Sequence, residues 1–251
     1  MSLFKSFKPF KSFWLAVQFL TRLPTPHYAT VSAQDMGKAI AWFPLVGAII
    51  GAGLVAVAQF NAVLPAHIVA GLVLAFWVWV TGALHLDGLA DTADGWLGGT
   101  GNPQRALEIM KDSRIGTGGG VALGLMLLLK WSVLVVIIEH QAWWFLALAP
   151  VIGRIASIAL MPVTAYVSAN GIAEQMFNHL NRGWVGLWVL GLLLGLLWLH
   201  PGLAIGLSLA WLWIRKTMQT ITGGMTGDTA GATTELMELF WLMGVIGVLL
   251  N

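Results

Sequence analysis

The sequence predicts an all-α fold, a polytopic integral membrane helical bundle with about seven transmembrane helices. Of the 251 residues, 58% are hydrophobic and only 10% are charged. Soluble domains carry about 25% charged residues, so this deficit indicates burial in lipid. The 14 tryptophans suit a protein with many membrane interfaces, where amphipathic rings settle. Because the chain has no cysteine, disulfides, thiolate metal sites and a cysteine nucleophile are excluded.

Apolar segments recur along the chain, which we interpret as one integral membrane domain over residues 1–251. Each segment is close to the ~20 residues that a helix needs to cross a bilayer, or somewhat shorter. Transmembrane helices are predicted at 39–60, 63–84, 119–138, 142–164, 184–199, 202–214 and 236–250. Residues 1–20 interleave Phe with Lys and predict a basic, aromatic segment in the lipid headgroup layer, with an unstructured tail as the alternative.

The placement of basic residues predicts the orientation. With a cytoplasmic N-terminus, seven spans put four segments on the inner side: 1–38, 85–118, 165–183 and 215–235. Of the 13 basic residues, only Lys130 and Arg154 lie outside these segments, and the outer loops hold none. This distribution follows the positive-inside rule, and nearly all the carboxylates fall on the same side. The chemistry is therefore predicted to be cytoplasmic, in site loops at 85–118 and 215–235.

Three carboxylates follow a long stretch without charged residues. Asp87, Asp91 and Asp94 are spaced by four and three residues, so on a helix they form one acidic stripe. A divalent cation would relieve their mutual repulsion, and oxygen ligands without cysteine suit Mg²⁺, Mn²⁺ or Ca²⁺ rather than Zn²⁺. The alternative is a solvated polar cap on a helix end. His85 would face away from the stripe, in a supporting or structural role.

The rest of the first inner segment predicts a short helix and a phosphate-binding loop. Asn102 is the predicted N-cap, Pro103 the first helical residue, and Gly116 the end of the helix after Arg114. The glycine-rich run before the third span exposes backbone N–H groups that can hold phosphate oxygens, beside a guanidinium that can grip them. Glycines that serve only for turning or close packing are the alternative.

Charged residues elsewhere extend the candidate site. Lys130 and Arg154 lie near the middle of their spans, where a charge costs ~3 kcal/mol or more. Each is therefore predicted to face the bundle interior, either pairing with an acid or reaching an anionic substrate. Asp228 and Glu235 are seven residues apart, on one helical face. Asp228 either caps the final helix or adds a metal ligand or general base to the stripe.

These features together predict metal-assisted handling of a phosphate or diphosphate beside a membrane. The candidate metal ligands are Asp87, Asp91, Asp94, Asp112 and Asp228. The candidate substrate-binding residues are Lys111, Arg114, Thr117, Thr226, Lys130 and Arg154. The candidate catalytic residues are Asp228 and Asp94.

Three motifs follow one another along the chain: His85 to Gly95, Asp112 to Thr117, and Gly223 to Ala232. They closely resemble the cobalamin synthase family, the adenosylcobinamide-GDP ribazoletransferases. Segments 21–24 and 42–47 also look like that family. The resemblance covers nearly the whole chain in length, span pattern and motif order.

The resemblance implies a multi-pass enzyme of the bacterial cell inner membrane that completes the nucleotide loop of vitamin B12. A hydroxyl of α-ribazole, or of its 5′-phosphate, would attack the cobinamide-side phosphate of adenosylcobinamide-GDP, with Mg²⁺ as the cofactor. GMP would leave, and adenosylcobalamin or its 5′-phosphate would form. The implied partners are these two substrates and membrane lipid, but no nucleic acid. Association with other cobalamin-assembly enzymes or with further copies of the chain stays open.

Two other functions stay open at this stage. A CDP-alcohol or polyprenyl-type phosphotransferase would act on a CDP-activated lipid and would not depend on a corrinoid. An ion-coupled transporter would line a pathway with Lys130, Arg154 and the acidic stripe, and would show flux across vesicles.

Overall fold

The computed structural model describes residues 10–168 and 172–250, except for the side chains of 172, 173 and 175. Within these ranges the chain is helical and has no strand; one parallel bridge pairs Tyr166 with Met225. The helices are α1 Lys11–Leu20, α2 Ala33–Ala39, α3 Phe43–Ala58, α4 Ala66–Thr81, α5 Leu84–Gly99, α6 Pro103–Met110, α7 Thr117–Glu139, α8 Trp143–Leu160, α9 Ile172–Asn178, α10 Arg182–Leu199, α11 Pro201–Thr222 and α12 Gly227–Leu249. Short 3₁₀ turns at Ile40–Trp42 and Gln59–Ala62 flank α3.

The predicted all-α membrane fold is confirmed, but the count of seven spans is not. Five helices in the described part of the chain are long and apolar enough to cross a membrane: Ala33–Ala62, α7, α8, α10 and α12. The number rises to six if α4 and α5 count as one span bent by 87°. The segment predicted at 202–214 does form a helix, α11, but it is not among these candidates. It carries the charges of Arg215 and Lys216.

The bend between α4 and α5 is built into the backbone. Gly82 and Ala83 both have left-handed φ angles, 61° and 58°, a conformation that ends a regular helix. The N-terminal segment packs over this bend, because a Cβ on Gly82 would lie 2.5 Å from Nε of Arg22. The Arg22 N–H also donates to the Val80 carbonyl oxygen at 2.8 Å. The bend thus turns α5, which carries the acidic residues, away from the axis of the apolar helix α4.

The two predicted site loops are largely helical. Most of 85–118 is occupied by α5 and α6, and most of 215–235 by α11 and α12, which leaves only 223–226 as a turn. Asn102 caps α6 as predicted, since its side chain accepts from the Arg105 N–H. The prediction that Gly116 ends this helix is wrong. The helix ends at Met110, and Gly116 is instead the N-cap of α7.

The last helix, α12, begins at Gly227 instead of the predicted 236. Its first turns are polar but buried: Thr233 and Thr234 are fully shielded and Glu235 is 5% exposed. Hydropathy therefore marks only the apolar part of a helix whose polar part is covered by protein. At the N-terminus, Lys11 pairs with Asp35 at 2.6 Å. Residues 1–9 lie outside the described ranges, and the headgroup location of 1–20 stays a prediction.

Candidate active site

The predicted stripe lies on α5 and meets the start of α12. A Cβ on Gly88 would stand 2.7 Å from the backbone oxygen of Asp228. A Cβ on Gly231 would stand 3.3 Å from Cα of His85. Because glycine lets two helix backbones approach this closely, Asp228 comes to the same place as the carboxylates of α5. We call Asp87, Asp91 and Asp228 the acidic face.

The acidic face carries negative charge that no cation in the described part of the chain offsets. Asp91 is half-buried, and its carboxylate is repelled by Asp228, Asp87 and Asp94, in decreasing order. Asp228 is repelled in turn by Asp87. Among the described residues, no Lys or Arg forms an ion pair with any of the three members. A divalent cation would remove this repulsion.

The acidic face fits Mg²⁺ by the chemistry of its donors, which are all carboxylate oxygens. Within the described ranges, no three His, Cys, Asp or Glu side chains are placed to hold a metal ion by themselves. Magnesium rarely uses a cage made only of protein ligands. It is usually held by one or two carboxylates together with substrate phosphates and water. The arrangement therefore suits an ion that shares its ligands with a diphosphate.

Asp94 ties α5 to the start of α7. Its carboxylate oxygens accept hydrogen bonds from the N–H of Gly116 at 2.7 Å and of Gly119 at 2.8 Å. A Cβ on Gly119 would lie 2.5 Å from Oδ2 of Asp94, so a larger residue there would displace the carboxylate. Two of the backbone groups predicted to hold phosphate are thus already bonded. For Gly116 and Gly119 the structure therefore supports the alternative that these glycines serve for turning or close packing and do not bind phosphate.

A cavity of about 840 Å³ opens between α5, α6 and the start of α7. Its charged lining consists of Asp94, Arg105, Glu108, Asp112 and Arg114, and Thr117 adds a hydroxyl. Asp94 is the link between this cavity and the acidic face, because it lines the former and repels Asp91 in the latter. Arg105 is not among the predicted substrate-binding residues, although its place in the first turn of a capped helix beside the predicted phosphate-binding loop is a signal in the sequence.

Arg114 and Asp112 form an exposed pair at the cavity mouth. Nε and Nη2 of Arg114 donate to the carboxylate, the latter at 2.7 Å. These hydrogen bonds lower the pKa of the Asp112 carboxyl to about 2, and the same pair raises the pKa of the Arg114 guanidinium. Asp112 is not among the charges acting on Asp91, so the structure does not bring this predicted metal ligand to the acidic face. Lys111 is exposed at the end of α6 and does not line the cavity.

Thr226, a predicted substrate contact, is the N-cap of α12. Its hydroxyl accepts from the Thr229 N–H at 3.1 Å, and the Thr229 hydroxyl accepts from the Thr226 N–H at 2.8 Å. Thr226 is 1% exposed. This reciprocal cap starts α12 one residue before Asp228 and so puts that carboxylate in the first turn, where the helix dipole favours negative charge.

Lys130 and Arg154 pair with acids in the bundle interior, which was one of the two predicted roles. Lys130 Nζ lies 2.6 Å from carboxylate oxygens of both Glu235 and Glu238. Arg154 pairs with the other oxygen of Glu238. Both cations are buried, 2% and 1% exposed. Glu238 is not among the residues predicted from the sequence, although an acid inside an apolar span is a signal in a chain with two intramembrane cations.

Tyr166 also lies near the site, and no motif in the neighbouring sequence predicts this. The Met225 N–H donates to the Ala165 oxygen at 2.8 Å, and the Val167 N–H donates to the Met225 oxygen at 3.0 Å. This bridge holds Tyr166 beside the turn that precedes α12. Burial raises the pKa of its hydroxyl, a hydrogen bond with Ser168 opposes this shift in part, and the negative charges of Asp228 and Glu174 add to it. A neutral phenol therefore stands next to the acidic face.

Comparisons with known proteins agree on one family. The family model described as cobalamin-5-phosphate synthase matches residues 12–246. An adenosylcobinamide-GDP ribazoletransferase of Pseudomonas entomophila (strain L48) is 44% identical over 237 residues, which cover 93% of this chain and 97% of the relative. The enzyme of the same name from Acinetobacter baumannii (strain ATCC 17978) is 42% identical over 231 residues, 90% of this chain and 93% of the relative. No solved structure matches the chain.

Proposed function

Because the chain belongs to the cobalamin-5-phosphate synthase family, we propose that it is a Mg²⁺-dependent adenosylcobinamide-GDP ribazoletransferase. Its substrates are adenosylcobinamide-GDP and α-ribazole or the 5′-phosphate of α-ribazole. The products are adenosylcobalamin, or its 5′-phosphate, and GMP. We place the enzyme in the bacterial inner membrane with its site toward the cytoplasm, on the distribution of its basic residues.

One observation carries this proposal. The cavity that contains Arg105 and Arg114 and the uncompensated acidic face share α5 and meet at Asp94. To transfer a substituted phosphate, an enzyme must bind the diphosphate of the substrate and must neutralise the negative charge around the reacting phosphorus. The cavity supplies cationic side chains for the first task. The acidic face supplies oxygen ligands for the second.

In the cavity, Arg114 and Arg105 bind the diphosphate oxygens of the GDP-activated substrate. A guanidinium matches phosphate geometry with two parallel N–H bonds, and a phosphate would exchange with Asp112 for Arg114. The Thr117 hydroxyl adds a hydrogen bond at the same wall. The hydrogen bonds of Asp94 fix the start of α7, where Thr117 lies.

At the acidic face, Asp91 together with Asp87 or Asp228 would hold Mg²⁺, and oxygens of the substrate diphosphate would complete its ligands. The ion would neutralise charge on the transferred phosphate and on the leaving GMP. The attacking hydroxyl forms a new O–P bond while the bond from that phosphorus to the bridging oxygen breaks, and GMP keeps the bridging oxygen. The hydroxyl proton goes to a carboxylate. We assign this role to an oxygen of Asp228 that does not contact the ion, and not to Asp94, because both oxygens of Asp94 hold the start of α7.

The test is release of GMP by the purified protein in lipid nanodiscs. The reaction contains Mg²⁺, adenosylcobinamide-GDP and either α-ribazole or its 5′-phosphate, with EDTA in a parallel sample. We expect GMP and a cobalamin product in equal amounts, and neither with EDTA. A CDP-activated lipid in place of the corrinoid should give no turnover. Turnover of that lipid, or the absence of GMP with both acceptors, would reject the proposal.

A further inference from the structure

A buried ion cluster joins the helices on either side of the acidic face. It consists of Lys130, Arg154, Glu235 and Glu238, with His85 at its edge. Lys130 contacts both glutamates at 2.6 Å, and Arg154 pairs with Glu238. Nη2 of Arg154 lies 3.4 Å from Nδ1 of His85. The cluster balances two cations with two carboxylates.

The cluster touches five helices. Glu235 and Glu238 are on α12, Lys130 on α7, Arg154 on α8 and His85 on α5. Nζ of Lys130 also stands 4.3 Å from the ring centroid of Trp77, on α4. Two of these helices, α5 and α12, carry the whole acidic face. Glu235 follows Asp228 by two helical turns, about 10 Å along the axis, and His85 precedes Asp87 by two residues.

Glycines alone would leave the fit of α5 against α12 loosely specified. Gly88 and Gly231 allow the two backbones to touch, and Gly153 lets Glu238 approach α8, where a Cβ would lie 2.7 Å from its Cγ. A contact made only by glycines would allow α12 to slide along α5. A buried charge does not, because a cation or carboxylate that loses its partner inside the bundle is strongly destabilised.

We propose that this ion cluster positions α12 against α5 and thereby sets the separation of Asp228 from Asp91. Glu238 is the central positioning residue because, of the two glutamates in the cluster, it is the one that contacts both Lys130 and Arg154. The inference rests on the proposed function for its link to metal binding, but its structural part does not. A displacement of α12 along α5 would separate Glu238 from Arg154 and move Asp228 at the same time.

The structural part is tested by distance measurement. The chain has no native cysteine, so spin labels can be placed at Leu84→Cys on α5 and Met243→Cys on α12, which are 38% and 46% exposed. We expect Glu238→Gln to shift or broaden the distance distribution between the labels. The matched control is Leu242→Ala, which removes a fully buried apolar side chain one turn further along α12. It should lower stability but leave the distance unchanged.

A second pair of variants separates charge balance from side-chain loss. Lys130→Met leaves Glu235 and Glu238 with one cation between them, so it should displace α12. Adding Glu235→Gln restores the balance and should return the distance toward that of the parent protein. This double variant keeps the test available if Glu238→Gln does not fold. Equal displacement in the single and double variants would overturn the proposal.

Metal binding is read without turnover, by Mn²⁺ titration followed by electron paramagnetic resonance. Changes to groups that orient metal ligands typically weaken metal binding by about 10–100-fold. We expect a Kd increase in that range for Glu238→Gln and no such increase for Leu242→Ala. An unchanged distance and Kd in Glu238→Gln, or equal changes in Leu242→Ala, would overturn the inference. If the parent protein binds Mn²⁺ and the variants behave as expected but no GMP is released, the proposed function fails and the positioning role stands.

Discussion

The carboxylate of Asp94 holds the N–H of Gly116 at 2.7 Å and so fixes α5 to the first residues of α7. The same carboxylate lines the cavity and repels Asp91. It therefore connects the groups proposed to bind the diphosphate with those proposed to bind the metal. A residue chosen from the sequence as a metal ligand turns out to organise a helix start.

This contact predicts a specific defect in Asp94→Asn. The amide keeps one acceptor oxygen but puts an NH₂ group where the second backbone N–H now donates. Hydrogen bonds to a charged group are worth about 1.5–3 kcal/mol, so the start of α7 should loosen. Hydrogen exchange at Gly116 and Gly119 should accelerate, and KM for the GDP-activated substrate should rise. Asp87→Asn is the control, since it removes a neighbouring charge and should leave exchange at these amides unchanged. Unaltered protection in Asp94→Asn would contradict the assignment.

The acidic face predicts that replacing Asp91 abolishes activity but raises the stability of the protein. Asp91→Asn should abolish GMP release, because it removes a central oxygen ligand. It should also remove repulsion from three neighbours, worth about 0.2–0.5 kcal/mol each, and so raise the Tm of the metal-free protein by about 2–5 °C. Added Mg²⁺ should stabilise the parent protein more than the variant. Asp112→Asn is the matched control and should not raise Tm. A less stable Asp91→Asn would remove the repulsion argument, and near-normal turnover would remove the ligand role.

The sequence predicted features that depend on near neighbours in the chain. The stripe follows from helical spacing, and the cap at Asn102 from residues three apart. The mid-span depth of Lys130 and Arg154 predicted that both face inward, and the structure buries them. These features could be identified because each depends on a few adjacent residues or on the length of an apolar run.

Contacts between distant segments could not be predicted in the same way. The partners of Lys130 on α12 are more than 100 residues away, at separations of 105 and 108. Nothing in the local sequence indicates which helix faces which. The true start of α12 was hidden for a related reason, since its buried first turns contain threonines that hydropathy assigns to a loop. The neighbours of Gly116 in the sequence likewise predict a helix end, because they do not show its partner Asp94, which is 22 residues earlier in the chain.

The cavity predicts that Arg114 acts on substrate binding rather than on the chemical step. Arg114→Ala removes a bidentate, charge-assisted grip worth about 1.5–3 kcal/mol, so KM for the GDP-activated substrate should rise by about 10–100-fold. Arg114→Lys keeps the charge but loses the two parallel N–H bonds, so its KM should lie between that of the parent protein and that of Arg114→Ala. Steady-state kinetics at fixed Mg²⁺ measures both. Arg182→Ala removes an exposed arginine at the start of α10, away from the cavity lining, and should leave KM unchanged. A fall in kcat with unchanged KM in Arg114→Ala would contradict this role.

The two tyrosines of the chain provide a matched pair for the last prediction. The Tyr166 hydroxyl is held near Asp228, and its ring packs on Phe177 at 5.6 Å between centroids, so Tyr166→Phe should keep the fold but lower kcat. Because the pKa of this hydroxyl is raised above its ordinary value of 10, it stays protonated as pH rises toward 10. The effect of the substitution should therefore be constant between pH 6 and pH 9.

The Tyr28 hydroxyl is buried without a hydrogen-bond partner among the described residues. A buried unpaired polar group costs about 1–3 kcal/mol, so Tyr28→Phe should be neutral or stabilising in a thermal unfolding assay and should leave kcat intact. Equal kcat values for the two variants would show that the Tyr166 hydroxyl has no part in the reaction.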